Sequence, residues 1–207
     1  MLLSNPGGKV LPLKVGTHVA MIGPHVNAAM TLIQHDTGMV CPGVWHQGHE
    51  DGGDNDPESY HCVKSPLSAV RDINTGGITT FSQGCDVYKN GTDGFAAALV
   101  SAKAAKVVVL GLGIEERHRV DCGEECLLHY ERESHDRSSI DLPAVQKQLL
   151  AAVIKLGKPT VVFLLNGGML AVDDFIEEPN VAVIEVSPSM IFSIKEHPTR
   201  MSPMMCR

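Results

Sequence analysis

The sequence predicts an α/β fold, a three-layer sandwich whose mostly parallel sheet is covered by helices on both faces. Three features of the 207 residues lead there. Short runs of β-branched and apolar residues recur along the chain. Segments of helical period or alanine-rich composition alternate with them. The runs are apolar throughout rather than on alternate residues, as strands enclosed between two helix layers are. Crossovers in such a sheet are right-handed, and its ligands gather at the C-terminal strand ends.

Residues 17–22 form the first such run, ending at the turn signal Gly23-Pro24, and a short helix is expected from about Asn27. Residues 37–59 hold Gly, Pro, Asp and His without hydrophobic period and read as a surface insertion. At Ser65-Pro66-Leu67 a capping Ser and a Pro at the first helical position open a helix through Val70 and Ile73, stopped by Gly76-Gly77. A second strand is expected over 78–81. Asp93 then begins a helix whose Ala96, Ala97, Ala98 and Ala104 allow close packing on a sheet. Residues 107–110 give a third strand. Leu142-Pro143 opens a helix with Val145, Leu149, Ala152 and Leu156 on one stripe, closed by Gly157. Strands at 160–165 and 181–184 follow, joined through Gly167-Gly168 and Asp173-Asp174.

With 43% hydrophobic and 20% charged residues, the chain can bury one sizeable core. A formal net charge of −7 with scattered basic residues excludes the electrostatic footprint of a nucleic-acid binder. The longest apolar runs fall well short of the roughly 20 residues of a membrane span. No secretory leader is read in the first 14 residues, while the sequon Asn90-Gly91-Thr92 marks Asn90 as a glycosylation acceptor and leans toward a secretory history. Six cysteines leave the compartment open, because the Cys41 to Cys62 and Cys122 to Cys126 spacings suit either bridges or free thiols.

Several constellations carry little chemistry. His46, His49, Asp51, Asp54, Asp56 and His61 lack a diagnostic ligand spacing and read as a polar loop, so no metal site is expected. Gly111-Leu112-Gly113 follows a strand, but lacks the third glycine of a dinucleotide loop. Cys122 and Cys126 have no second pair at zinc-finger spacing, and a local disulfide between them is the favoured reading.

Four stretches in order resemble the C-terminal α/β domain of glycoside hydrolase family 3, of flavodoxin-like architecture. Leu2-Leu3-Ser4-Asn5 with Leu11-Pro12-Leu13 is similar to the exit from that family's barrel domain. Val19-Ala20-Met21-Ile22-Gly23-Pro24-His25 resembles its first strand and turn. Glu131-Arg132-Glu133-Ser134-His135-Asp136-Arg137, then Ile140-Asp141-Leu142-Pro143 and Gln146, resembles its Glu-Gly-x-Asp-Arg loop and the helix after it. Lys158-Pro159 through Asn166-Gly167-Gly168 resembles the next strand and double-glycine turn. The likeness is nearest to the β-xylosidase and β-glucosidase branch. It departs at Ser134, where the family keeps Gly, and in an extra segment over 117–130. It stops after Glu185. The implied organisation is a barrel-exit linker at 1–16, the α/β domain at 17–185 and a divergent tail at 186–207.

The resemblance implies a fragment of an exo-acting, retaining β-glycosidase that cleaves O-glycosyl bonds of β-linked glucosides or xylosides outside the cell. Such chemistry uses two carboxylates about 5 Å apart, one attacking the anomeric carbon and one protonating the departing oxygen. In the family the nucleophile is an Asp on the barrel, and by motif position the acid/base is Glu133. Asp136 and Arg137 are implied as substrate-binding residues, with a loop-fixing ion pair as the alternative role. No cofactor is required. The partners implied are a β-linked oligosaccharide and the barrel domain, which this sequence lacks, so the isolated chain is expected to be inactive. A non-catalytic module that binds carbohydrate or a partner domain is the alternative.

Overall fold

The computed structural model describes residues 1–32, 41, 62–115 and 136–186. Its centre is a six-stranded sheet built from β1 (Leu2–Ser4), β2 (Val19–Ile22), β3 (Thr79–Ser82), β4 (Val107–Gly113), β5 (Thr160–Leu165) and β6 (Val181–Val186). In space the strands run β1-β6-β5-β4-β2-β3, and only β1 is antiparallel to its neighbour. After β1 at the far edge, the chain enters the parallel part of the sheet at β2, steps outward to β3, and crosses back over β2 to continue through β4, β5 and β6. This reversal lies between β2 and β4, where Ile22 stands opposite Leu110.

Each helix forms for reasons visible in its residues. In α1 (Pro66–Ile73), the Ser65 side chain accepts a hydrogen bond from the Ser68 N–H at 3.2 Å, and Pro66 occupies a position that needs no N–H donor. In α2 (Phe95–Ala104), the fully buried Ala98 and Ala102 bring the helix close to the sheet. In α3 (Ala144–Ile154), Val145, Leu149, Leu150 and Val153 are buried, and Gly157, at φ 66°, takes the left-handed conformation that follows the helix.

Two cores result, one on each face. The larger holds Ile22, Leu110, Leu112, Leu164 and Val183 under α2 and α3. The other holds Met21, Val109, Val161, Phe163 and Ala182 under α1 and the segment carrying Val10, Leu11 and Leu13. The expected sandwich is thus observed, with differences in detail. β4 runs on to Gly113 instead of ending at Leu110, because Gly111 and Gly113 continue the parallel ladder opposite Phe163 and Leu165. The helix expected near Asn27 is a single 3-10 turn, Met30–Leu32. The N-terminal residues also supply an unanticipated edge strand, with Leu2 opposite Ile184.

Candidate active site

Polar side chains gather at the C-terminal edge of the sheet, several of them buried. At the end of β4, backbone closeness is imposed by glycine. A Cβ on Gly111 would lie 2.4 Å from Phe163 Cζ, and one on Gly113, at φ 141°, would lie 1.9 Å from the Leu165 carbonyl oxygen. The glycine pair thus serves strand packing. From there the chain passes through Ile114, whose N–H donates to Leu165 O at 2.9 Å, to Glu115.

Glu115 is held from two sides. Thr31 Oγ1 donates to its Oε2 at 2.8 Å. The Tyr88 hydroxyl accepts from its backbone N–H at 2.9 Å and donates to its backbone C=O at 2.5 Å. Tyr88 is itself placed by Asp86, whose Oδ1 accepts from the N–H groups of Tyr88 and Lys89 at 3.1 and 3.4 Å. Next along the edge, Asn166 at the end of β5 donates through Nδ2 to Gly168 O at 2.7 Å and to Glu185 Oε1 at 3.0 Å. The Glu185 carboxylate is thereby fixed at the end of β6. His25, wholly buried, follows β2 and donates its backbone N–H to Gly111 O at 3.2 Å.

The residues singled out from the sequence fall unevenly on this frame. Glu133 and Glu131 lie outside the described residues, as do Ser134, Cys122 and Cys126 and the cluster His46, His49, Asp51, Asp54, Asp56 and His61. In sequence Glu133 falls between Glu115 and Asp136, the described residues on either side of it. Asp136 is exposed and Arg137 is half-buried. Asn90 and Thr92 are exposed in the connection between β3 and α2. Cys41 and Cys62 form a disulfide with Cα atoms 5.6 Å apart, which resolves the alternative the spacing left open for that pair.

Sequence reasoning gave no role to Tyr88, Glu115 or Glu185. Gln146 was noted only as part of a motif, although it carries a local signal: a polar side chain in the first turn of α3, beside the buried Val145 and Leu149. It is completely buried. Away from the edge, a groove of about 460 Å³ runs along α3 beside Ala171 and Phe175. Lys147 lines it, 2.7 Å from Asp174 and 3.9 Å from Asp141. Its ammonium is held above the usual lysine range, chiefly by the hydrogen bond to Asp174. Among the described residues no three His, Cys, Asp or Glu side chains stand together as a metal site, and no helix is long and apolar enough to cross a membrane.

A doubly wound α/β domain with a reversal point between β2 and β4, and a long connection leaving that point, defines the class. The chain belongs to glycosyl hydrolase family 3, whose C-terminal domain model matches residues 1–187. It is 32% identical over 181 residues to a probable exo-1,4-beta-xylosidase of Neosartorya fischeri, a match covering 87% of this chain and 19% of that protein. It is 34% identical over 105 residues to a beta-xylosidase of Formosa agariphila, covering 51% of this chain and 13% of the relative. Among solved structures it superposes on a GH3 exo-beta-xylosidase in complex with a xylobiose aziridine activity-based probe, with TM-score 0.61 and 25% identity over 90% of this chain and 20% of that one. The chain therefore spans about a fifth or less of the length of these xylosidases.

Proposed function

We propose that this domain is the acid/base-bearing part of an exo-acting, retaining β-glycosidase that hydrolyses β-linked xylosides or glucosides. The observation that carries the reading is topological. The connection holding Glu133 joins the end of β4 to α3, at the reversal point where open parallel sheets present ligand-binding groups. In this reading an Asp on a barrel domain attacks the anomeric carbon while Glu133 gives its proton to the departing glycosidic oxygen. Glu133, now a carboxylate, then takes a proton from water as that water displaces the enzyme-bound sugar. Asp136 and Arg137, just beyond it, are the substrate-binding candidates. The organisation proposed is an α/β domain at 17–185, a barrel-exit segment at 1–16 that folds onto it as an edge strand and core cover, and a separate tail at 186–207. The exposed Asn90 sequon and the Cys41–Cys62 disulfide support synthesis through an oxidising, secretory route.

The second reading is a non-catalytic α/β module that binds carbohydrate or a partner domain. Hydrolysis of nitrophenyl β-xyloside and β-glucoside distinguishes the readings. The chain alone is expected to be inactive. Joined to a family 3 barrel domain it is expected to turn over, and Glu133→Gln should lower that rate about a hundredfold or more. Unchanged turnover in Glu133→Gln would overturn the acid/base assignment. Turnover by the chain alone would overturn the placement of the nucleophile on another domain.

A further inference from the structure

Strand β4 outruns the neighbour that should satisfy it. Its odd-numbered residues direct their peptide groups toward β2, as when Val107 N–H donates to His18 O and Gly111 O accepts from His25 N–H. Its even-numbered residues face β5, as Val108 and Ile114 do. Beyond Ile22, however, β2 has ended; the next residue due to face β4 is Pro24, which has no N–H to offer, and Gly111 O is met by the His25 N–H instead. The peptide groups of Gly113 and Glu115 then face a side with no strand. A backbone N–H or C=O buried there without a partner would carry the full cost of its lost hydration.

Two side chains take the absent strand's place. Gln146 Oε1 accepts from Gly113 N–H at 2.8 Å, and its Nε2 donates to Gly113 O at 2.7 Å and to Val87 O at 2.8 Å. The Tyr88 hydroxyl does the same for the N–H and C=O of Glu115. Both side chains are almost wholly buried, Gln146 at 0% and Tyr88 at 4% exposure, so neither has room to swing. Gln146 sits in the first turn of α3, the element that the connection from β4 leads into. The amide thus joins the departure point of that connection to its return point.

We propose that Gln146 and Tyr88 form a positioning clamp that fixes the backbone at Gly113 and Glu115, from which the connection carrying Glu133 departs. This inference rests on the acid/base reading for its functional half, while the clamp itself stands on the hydrogen bonds above. Neither residue touches substrate; they act through the backbone at 113 and 115. Placement matters because an error of about 1 Å at a reacting group can cost on the order of a hundredfold in rate.

The test has two arms and uses Tyr88→Phe, which deletes one oxygen and keeps the packed ring. In the full chain, amide hydrogen exchange followed by NMR is expected to quicken roughly tenfold at Glu115 and to stay unchanged at Val162 and Val183. No change at Glu115, or an equal rise across β5 and β6, would overturn the clamp. In the barrel-joined enzyme the same variant is expected to lower kcat with KM unchanged, more for an unactivated alkyl xyloside than for dinitrophenyl xyloside, whose leaving group needs no proton. Local exchange with undiminished kcat would overturn the positioning role. Glu133→Gln runs alongside: full activity there would overturn the acid/base reading, while the exchange arm judges the clamp independently. Gln146→Leu is the companion variant, expected to quicken exchange at Gly113; if it does not fold, Tyr88→Phe still decides.

Discussion

Cys85 shows how a residue's neighbours rewrite its chemistry. The thiol is buried in the larger core, and burial first, then the adjacent Asp86 carboxylate, pushes it up to about 12. The thiolate is the reactive form, so Cys85 should resist alkylation at pH 8 in the native chain and react readily in urea, as read from the mass of its peptide. The same shift has a sign for stability. Below about pH 8.5 the thiol is protonated in both states and its contribution is fully present. Above that, only the unfolded chain loses the proton, so stability falls as pH rises toward 12. At pH 10 the loss is at most about 2 kcal/mol, and the difference in urea midpoint between pH 7 and pH 10 should narrow in Cys85→Ala. Nothing near Cys85 in the sequence reveals that burial. Ser65, by contrast, was legible as a cap because the Ser-Pro-Leu order acts locally.

Elements were legible where local pattern and tertiary environment agree. The run at 160–165 is apolar at every position but Thr160 and became β5 with all six residues buried. The stripe through Val145 and Leu149 became the inner face of α3. What escaped is set by distant partners. β1 is three residues long and exists because β6 offers it an edge. The last residues of β4 fell outside the strand expected over 107–110, because glycine is depleted in strands. There the glycine is required by a strand instead. Gly113→Ala would bring a methyl group within 2 Å of the Leu165 carbonyl oxygen at a φ that L-residues rarely adopt, and the obstacle is backbone of the neighbouring strand. The variant should lose about 3 kcal/mol or more, or fail to fold, when measured by urea titration against the wild type. Of the candidate site, the resemblance around Glu133 rests on residue order alone. The Tyr88–Glu115 and Asn166–Glu185 contacts, which join positions far apart in sequence, were not.

For the molecule as a whole, the N-terminal arm is either a passive lead into the domain or a working part of its fold. The physical argument favours the second. β1 closes the edge of β6, and Leu3 packs against the larger core. Val10 is buried, and with Leu11 and Leu13 it packs on the second core over the face that carries Val161, Phe163 and Ala182. Asn5 braces this arm, its Oδ1 accepting from the N–H groups of Val10 and Leu11 and its Nδ2 donating to Leu11 O. Burying a side chain of this size stabilises a fold by about 1.5–3 kcal/mol when complete, so four partly or fully covered ones contribute several kcal/mol. That is comparable with the whole stability of an ordinary domain, about 5–15 kcal/mol. A chain beginning at Lys14 should therefore unfold at markedly lower urea and bind a hydrophobic dye in the absence of denaturant. A shortened chain with an unchanged urea midpoint and no dye binding would show that residues 1–13 lie on the domain without supporting it.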